Sequence, residues 1–380
     1  MNQSPAIRYR FLKSVAEVPR DDWNACAGPQ PFVRHEFLCA LEESGSVGGT
    51  SGWYPEPLAL YRGRELAALV PAYRKTHSYG EYVFDWAWAR AYEAAGLPYY
   101  PKLVVAIPYT PVSGPRILCP EPCAPDIAHA AADALRAHAA ATGASSVHWL
   151  FTDSALSETL SAAGLSRRTG LQFHWHNEGW PAFDDYLAAL SAPKRKNIRR
   201  ERRQVAQAGV RYTFYEGPTL RESLWDTFYD TYSATIAKYG AIAYLTRDFF
   251  SRIGAQVPGV VLLLGTIDAT PVAGALFFRD QTTLYGRYWG GLAAIPGLHF
   301  ETCYYQAIEY CLAHGLTRFE AGAQGEHKLS RGFLPRSTHS MHWLDHPQFQ
   351  RAVDDFLTRE HKGLEMVLNE LNEHTPFRKP

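Results

Sequence analysis

The sequence lacks the signals that identify several large classes of protein. Across its 380 residues, strictly apolar runs such as 260–264 are far shorter than the ~20 residues that a membrane-spanning helix requires. Residues 1–14 contain no apolar core of signal-peptide length. Lys and Arg together number 38, and so do Asp and Glu, so no overall charge favours a nucleic-acid partner. These absences predict a cytosolic protein without a transmembrane segment.

Common cofactor and catalytic motifs are absent as well. Cys119 and Cys123 flank a stiff Pro-Glu-Pro and match no zinc spacing, so we expect reduced thiols. His339, His342 and His346 lack a Glu-x-x-His pattern, so the sequence predicts no metal site. There is no Gly-x-Ser-x-Gly, no P-loop and no Gly-x-Gly-x-x-Gly after a predicted strand. Hydrolase, kinase and dehydrogenase functions therefore have no motif in their support.

A dense basic segment is the most informative feature that is present. Seven of the ten residues from 194 to 203 are basic. The sequence predicts a helix at 193–208. At helical spacing, one side holds Leu187, Lys194, Ile198 and Val205. We expect the exposed face to bind a polyanion such as a phosphate-rich cofactor, a tRNA or an anionic lipid or glycan carrier; the alternative is a solvated face balanced by acidic neighbours. The basic residues are Lys194, Arg195, Lys196, Arg199, Arg200, Arg202 and Arg203.

The chain repeats one structural plan. Segments 58–73 and 262–278 each have an apolar strand, a polar turn and a second apolar strand, and each is followed by a helix and a short strand. This repeat predicts an α/β protein with two like-folded domains, each a mixed sheet flanked by helices. We expect the first domain at 1–170, with an aromatic insertion near 77–111. The second, at 171–380, would hold the basic helix and a C-terminal helix.

Several strings resemble those of a known family. They are Phe183-Asp-Asp-Tyr-Leu-Ala-Ala-Leu, Lys194-Arg-Lys-Asn-Ile-Arg-Arg-Glu-Arg-Arg, His77-Ser-Tyr-Gly-Glu-Tyr-Val-Phe-Asp-Trp-Ala-Trp, Tyr285-Gly-Arg-Tyr-Trp-Gly and Phe319-Glu-Ala-Gly-Ala-Gln-Gly-Glu-His-Lys. Over nearly its whole length the chain resembles the FemAB-like predicted N-acyltransferases, also labelled peptidoglycan biosynthesis proteins. The resemblance implies two tandem folds of the Gcn5-related acetyltransferase (GNAT) type, and transfer of an acyl or aminoacyl group to an amine.

The identity of the donor stays open at this stage. Acetyltransferases of this type carry a Gln/Arg-x-x-Gly-x-Gly/Ala loop that holds the coenzyme A pyrophosphate at a helix start. The nearest string, Arg287-Tyr-Trp-Gly-Gly-Leu292, lacks the final small residue. Either acyl-CoA or an aminoacyl-tRNA is therefore a candidate donor, and we expect it to bind as an anion at the basic face through Lys194, Arg199, Arg200 and Arg203.

A first group of candidate catalytic residues lies in the first half. His77, Tyr79, Glu81 and Asp85 alternate, so an extended chain would place all four on one face. Aromatic neighbours can raise the pKa of a carboxyl group towards neutrality and make it a base. We expect His77, Glu81 and Asp85 to be catalytic and Tyr79 to bind substrate. The alternative is that they are residues of a loop rim, packed by Tyr and Trp side chains.

A second group follows the predicted strand near 320. Glu326 and His327 are candidate proton acceptors, and Lys328 and Arg331 are candidate ligands of an anionic donor. Gln324 lies in the same glycine-rich stretch, which could approach a ligand closely. The alternative is an ordinary charged turn at the surface.

A third group surrounds an arginine in a predicted strand. Arg287, with Tyr285 and Trp289 beside it, would bind a ligand phosphate or carboxylate, or would form an internal pair with Glu301 or Glu320. Because no single group offers a base, an acid and an anion clamp, we expect the groups of both halves to face one cleft. The leading hypothesis is an N-acyltransferase; the alternative is a non-catalytic RNA- or polyanion-binding protein on the same scaffold.

Overall fold

A computed structural model describes residues 6–120, 123–238, 240–323 and 325–378, except the side chain of Glu326. The chain divides into two compact units. The first unit comprises Met1–Gly170 and Ser337–Val367, and the second comprises Leu171–Arg336 and Leu368–Pro380. Among the described helices, none combines the length and the apolar character needed to cross a membrane.

The first unit is built of short strands and helices in alternation. The longest helix of the unit before residue 170 has Pro125 in its first turn, where the fixed φ of proline suits a helix start. Gly143 ends that helix with a φ of 70°. Short 3-10 helices cover Val15–Glu17 and Pro31–Val33. The elements are β1 Ile7–Phe11, α1 Arg20–Ala27, α2 His35–Glu43, β2 Trp53–Pro55, β3 Leu58–Arg62, β4 Glu65–Val70, β5 Ala72–Lys75, α3 Trp86–Ala94, β6 Lys102–Val105, α4 Pro125–Thr142, β7 Ser146–Thr152 and α5 Ser154–Ala162.

The second unit begins within a long strand and contains the basic helix. That helix forms at 192–207, with Pro193 in its first turn, and Gly209 follows its end with a φ of 81°. The elements from that strand onward are β8 Ser166–His176, α6 Phe183–Ala189, α7 Ala192–Gln207, β9 Arg211–Glu216, a 3-10 helix Gly217–Thr219, α8 Glu222–Lys238, α9 Arg247–Gln256, β10 Val260–Ile267, β11 Thr270–Arg279, β12 Thr283–Gly291, α10 Leu298–Phe300, a π-helical turn Glu301–Tyr305, α11 Gln306–Ala313, β13 Arg318–Glu320, a 3-10 helix Glu326–Arg331, β14 Leu334–Leu344 and α12 Pro347–Glu373.

The two units share a series of strand pairings with the same directions, although in the first unit β1, β3 and β4 form a separate three-stranded sheet and β2 pairs with β5. In the first unit β1, β3 and β4 pair antiparallel, β5 pairs antiparallel with β6, β6 parallel with β7, and β7 antiparallel with β14. In the second unit β9 to β12 pair antiparallel in turn, β12 pairs parallel with β13, and β13 antiparallel with β8. The segments 58–73 and 262–278 therefore occupy equivalent positions. The predicted class, with a mixed sheet in each half, is confirmed.

Each unit has its own apolar core. In the first unit, Leu60, Val105 and Trp149 from the strands pack with Leu135 of α4. In the second unit the core includes Leu263, Phe277 and Phe319 from the strands. It also takes Ile198 from α7, so the basic helix is held by burial of its apolar side, as its periodicity predicts.

The segment 337–367 belongs to the first unit, which differs from the predicted assignment of 171–380 to one domain. The reason is pairing and packing: β14 pairs with β7 from His339 to Leu344, and Val353 and Leu357 of α12 pack with Trp88. No local pattern in the sequence specifies that 337–367 packs with the first unit, because this packing depends on contacts between residues nearly 200 positions apart.

Glycines bring helix α8 against strand β12 in the second unit. A Cβ atom on Gly290 would lie 1.9 Å from the carbonyl oxygen of Thr231 in α8. The N–H of Gly291 donates to Oγ1 of Thr235, one turn further along the helix, at 3.0 Å. The backbones of helix and strand are therefore in direct contact here, which only glycine permits.

We expect Gly290→Ala to reduce the free energy of unfolding by more than ~3 kcal/mol, because the added methyl group overlaps a backbone that cannot yield. Equilibrium unfolding in guanidinium chloride measures this loss. The matched control is Gly363→Ala in α12, where a Cβ atom would meet nothing within 4 Å. That change should leave stability equal or raise it by up to ~1 kcal/mol. Equal effects at the two positions would contradict the packing argument.

Candidate active site

A buried lysine organises the first-half residues that were predicted to be catalytic. Lys102, at the start of β6, donates through Nζ to Oε2 of Glu81 at 2.8 Å and to Oγ of Ser78 at 2.8 Å. It also forms a short hydrogen bond with Oδ2 of Asp85. Glu81 is 4% exposed and Asp85 3% exposed. Both carboxylates are thus partners of a buried ammonium group.

A chain of hydrogen bonds continues from Asp85 into the same unit. The hydroxyl of Tyr99 donates to Oδ2 of Asp85 at 2.6 Å and lies 3.2 Å from Nε2 of His148. Nδ1 of His148 is 2.8 Å from Nδ1 of His342, and Nε2 of His342 is 2.8 Å from the hydroxyl of Ser340. Two facing Nδ1 atoms can bond only if one donates and the other accepts, so both rings are held in defined tautomers.

Burial and charge shift the pKa values of this group in opposite directions. Burial raises the pKa of Glu81 to about 7, although the Lys102 ammonium opposes the rise. Burial also disfavours ionisation of Asp85, but Lys102 and His148 outweigh it and hold the pKa of Asp85 below its usual range. Burial lowers the pKa of His148 to about 3, so this histidine is neutral at pH 7. A carboxyl group with a near-neutral pKa was expected here, and Glu81 has one.

His77 and Tyr79 lie beside this group but nearer the surface. The N–H of Tyr79 donates to Nδ1 of His77 at 3.3 Å, and the two rings are 5.2 Å apart. Tyr79 is 49% exposed, whereas Glu81 and Asp85 are inside the unit. The contacts of Glu81 and Asp85 are those of a buried ion cluster. The catalytic roles of all four residues stay predictions.

In the second unit, two parallel strands separate and open a cavity. Strands β12 and β13 pair only from Thr283–Arg318 to Tyr285–Glu320. Beyond that point a cavity of about 80 Å³ lies among β11, β12, the residue after β13 and the helical segment that follows β12. Its lining includes Gly286, Arg287, Trp289, His299, Cys303, Tyr304 and Ala321. The edge of a sheet where neighbouring strands part is a common ligand position.

A β-bulge places Arg287 at this cavity. Opposite β11, Leu276 pairs with Tyr288 and Phe277 pairs with Gly286, so Arg287 is the extra residue. Bulges redirect side chains and are frequent beside active sites. The predicted residues Arg287 and Trp289 therefore share the cavity, whereas Tyr285 lies on the other face of the strand and donates its hydroxyl to Asp280 at 2.8 Å.

A tyrosine and a histidine form a hydrogen-bonded pair at the cavity. The hydroxyl of Tyr304, in the π-helical turn, is 3.0 Å from Nε2 of His327. Burial, with the nearby cations Arg331 and Lys328, lowers the pKa of His327, so its ring is neutral at pH 7 and can accept a proton. Burial raises the pKa of Tyr304, which keeps the hydroxyl protonated. Tyr304 lines the cavity, and its hydroxyl can exchange a proton with the ring of His327.

Two cations of the predicted second group have defined partners. Lys328 is 1% exposed and donates from Nζ to the carbonyl of Gly322 at 2.7 Å, and burial lowers its pKa to about 7. Nη2 of Arg331 binds both carboxylate oxygens of Glu201 at 2.9 Å. Gln324 and the side chain of Glu326 lie outside the described residues, so their predicted roles stay predictions.

Some cations of the basic helix form ion pairs within the unit, and others are exposed to solvent. Arg202 binds Glu301 and Glu309 at 3.2 and 2.9 Å, so it is part of the fold. Arg199 is 3.7 Å from Asp184, and Arg203 shares with it a groove of about 400 Å³. The side chains exposed on this helix include Lys194, Lys196, Arg199, Arg200 and Arg203. Lys194, placed on the buried side by periodicity, is instead exposed, because its long side chain reaches water at the first turn.

A protein-family model described as peptidoglycan biosynthesis/recognition, FemAB-like, matches residues 14–379. The chain belongs to the FemAB-like family. The family resemblance of its sequence strings is thereby confirmed. Among curated proteins, none matches this sequence significantly.

Solved structures place this FemAB-like chain in its fold. The crystal structure of FemX aligns with a TM-score of 0.54 at 11% identity, covering 91% of this chain and 100% of that one. The structure of L-PGS from Bacillus licheniformis aligns with a TM-score of 0.50 at 11% identity, covering 87% and 98%. A tandem GNAT protein from the clavulanic acid biosynthesis pathway gives 0.46 at 12%, covering 90% and 99%. The chain therefore shares the overall fold of FemX.

The helix that follows β12 begins close to the basic helix. Gly290 and Gly291, the closest match to a pyrophosphate loop, are strand residues packed on α8. The helix begins after Gly297, where a Cβ atom would lie 3.3 Å from the carbonyl oxygen of Glu201. One residue of α7, Glu201, therefore lies beside the residue that precedes this helix.

The sequence did not predict three of the residues that line the cavity, which are His299, Cys303 and Tyr304. They lie in a segment whose spacing predicts an ordinary helix, and its π-helical turn is not visible in that spacing. A single insertion into a helical repeat often marks a functional site, but it appears only in three dimensions. The groups of the first and second halves lie in different units, so a cleft common to them stays a prediction.

We expect Lys102→Met to lower the free energy of unfolding by ~3–5 kcal/mol, because Glu81 and Asp85 would remain buried without their cation. Chemical denaturation at pH 8 measures the loss. Lys75→Met is the matched control: burial lowers the pKa of Lys75 to about 7, so little charge is removed there at pH 8. If the two substitutions lower the free energy of unfolding equally, the charges do not stabilise the cluster.

Proposed function

We propose that this FemAB-like chain is an N-acyltransferase whose chemistry takes place at the cavity between β12 and β13. The observation that carries the proposal is the Tyr304–His327 pair at the point where these strands separate. Membership of the FemAB-like family supports it, since the family is described by peptidoglycan biosynthesis/recognition. The acceptor is an amine and the donor is an acyl or aminoacyl ester.

The proposed reaction uses the pair as an acid. The acceptor nitrogen attacks the carbonyl carbon of the donor, and the bond from that carbon to the leaving oxygen breaks. The hydroxyl of Tyr304 protonates the departing oxygen, and the tyrosine regains a proton from the nitrogen of the intermediate through His327. Enclosure of the cavity by Trp289 and His299, whose rings are 4.5 Å apart, limits competing attack by water.

The donor in this proposal is an aminoacyl ester carried by a polyanion such as tRNA. The incomplete pyrophosphate-loop string and the closeness of Glu201 in α7 to Gly297 support this donor over acyl-CoA. The exposed cations of α7 supply an alternative anion-binding surface, and Arg199 and Arg203 border an open groove beside it. Multiple phosphate contacts of this kind give strong, salt-dependent binding.

We expect Tyr304→Phe to lower kcat for transfer from mixed aminoacyl-tRNA to Nα-acetyl-lysine amide by ~10²-fold or more, because the leaving oxygen loses its proton donor. Release of labelled product measures the rate. Tyr310→Phe is the matched control, since Tyr310 also donates its hydroxyl within the same unit, to Glu216, but does not line the cavity. Unchanged kcat in Tyr304→Phe would contradict the proposed acid.

The polyanion surface is tested by replacing Arg199, Arg200 and Arg203 with Ala. We expect weaker binding of unfractionated tRNA and a slope of log K against log salt that is shallower by ~3, one unit for each lost phosphate contact. Fluorescence anisotropy across a salt series measures both. The control replaces three exposed cations of the first unit, Arg90, Arg351 and Lys362. Equal effects of the two sets, or salt-independent binding, would contradict a specific surface.

A further inference from the structure

A concave surface of the first unit is lined by three arginines. It has a volume of about 360 Å³ and lies at β1 and at the turn between β3 and β4. Its lining consists of Arg8, Arg10, Tyr61, Gly63 and Arg64, and no carboxylate of the described residues lines it. This arginine concavity is therefore a strongly cationic surface, and the chemistry proposed for the second unit does not use it.

The register of β1 against β3 places these side chains on one face of the sheet. In the antiparallel ladder Arg8 pairs with Tyr61 and Arg10 pairs with Ala59, and side chains two positions apart along a strand point the same way. The alternate residue Phe11 packs against the apolar core of the unit. Because burial of that face fixes which way the strand is turned, the two arginines point away from the core.

The turn after β3 orients one of the arginines. Gly63 has a φ of 66°, a conformation that favours glycine, and its carbonyl oxygen accepts a hydrogen bond from Nη2 of Arg8. A guanidinium group has five N–H donors, so this bond leaves most of them for a ligand. Arg8 is thus held in place before any ligand binds, which lowers the entropy cost of binding.

Acidic neighbours offset only one of the three positive charges. Oε2 of Glu17 lies 3.4 Å from Nη2 of Arg10, while Oε1 of the same carboxylate accepts a hydrogen bond from the N–H of Lys13 at 2.6 Å. Arg8 and Arg64 form no ion pair among the residues that the structure describes. Three guanidinium charges less one carboxylate leave two positive charges at the arginine concavity. Their mutual repulsion is relieved when an anion binds.

We propose that the arginine concavity binds a phosphomonoester, with its phosphate among the guanidinium groups and the ring of its sugar or nucleoside against Tyr61. A phosphomonoester carries close to two negative charges at pH 7, which matches the excess positive charge, whereas a carboxylate or a phosphodiester carries one. Guanidinium groups bind phosphate oxygens through paired N–H donors. The volume of about 360 Å³ lies within the range of small-molecule sites and leaves room for a ring beside the phosphate.

Isothermal titration calorimetry with the full chain tests the site with adenosine monophosphate, glucose 1-phosphate and cyclic adenosine monophosphate. The cyclic diester has the same nucleoside as the first probe but one negative charge fewer, so the preferred monoester should bind at least ~10-fold more tightly than the diester at pH 7.5. Its affinity should fall between pH 7.5 and pH 5.5, because the second pKa of a phosphomonoester is ~6 and the lost proton is regained there. The tighter of the two monoesters shows whether the ligand is a nucleotide or a sugar phosphate.

The arginines are tested by Arg8→Gln combined with Arg64→Gln, which should weaken binding of the preferred monoester by ~10²-fold, since each substitution removes charged hydrogen-bond donors. The matched control, Arg90→Gln with Arg351→Gln, removes two exposed arginines of the same unit that do not line the concavity and should leave binding unchanged. Equal weakening by the two pairs, or equal affinity for monoester and cyclic diester, would overturn the proposal. So would a wild-type chain that binds neither monoester, even if the Arg8 and Arg64 substitutions weaken its binding of tRNA. The measurement needs no turnover, so it is independent of the proposed acyl transfer.

Discussion

The buried ion pair between Glu201 and Arg331 holds the candidate active site together. Both oxygens of Glu201 bind Nη2 of Arg331 at 2.9 Å, and the guanidinium lies 3.5 Å from the ring centre of Phe300. Its Nε donates to the hydroxyl of Tyr305, and its Nη1 to the carbonyl of His327. One arginine thus connects the basic helix, the π-helical turn and the 3-10 helix. A pair buried this deeply costs several kcal/mol to break, so these elements stay in register.

The duplicated fold is used differently in the two units. In the first, the polar cluster gathers at the start of the parallel pair β6 and β7, where Lys102 binds Glu81 and Asp85. In the second, polar side chains gather where β12 and β13 end their pairing, at Glu320. Ligands bind at the carboxyl ends of parallel strands far more often than at their starts. The polar clusters of the two units therefore lie at opposite ends of their parallel strand pairs.

Helix α7 contributes to the fold and to the proposed donor surface at the same time. Ile198 and Val205 bury its apolar side, and Glu201 and Arg202 engage partners within the unit. Five of its cations are exposed, where a polyanion can reach them: Lys194, Lys196, Arg199, Arg200 and Arg203. The same helix also lies close to the start of the helix after β12, where a Cβ atom on Gly297 would lie 3.3 Å from the carbonyl oxygen of Glu201.

The sequence by itself determined the class of fold, the repeat of one strand plan, the basic helix and the FemAB-like family, because all four follow from local periodicity or contiguous strings. It also pointed to Arg287, Trp289 and His327. Only the tertiary structure decided that Arg287 is a bulge residue, that Tyr304 meets His327, and that 337–367 returns to the first unit. Each of these depends on strand register, a single helical insertion or a distant pairing. Such features are set by packing between remote segments, which no local pattern encodes.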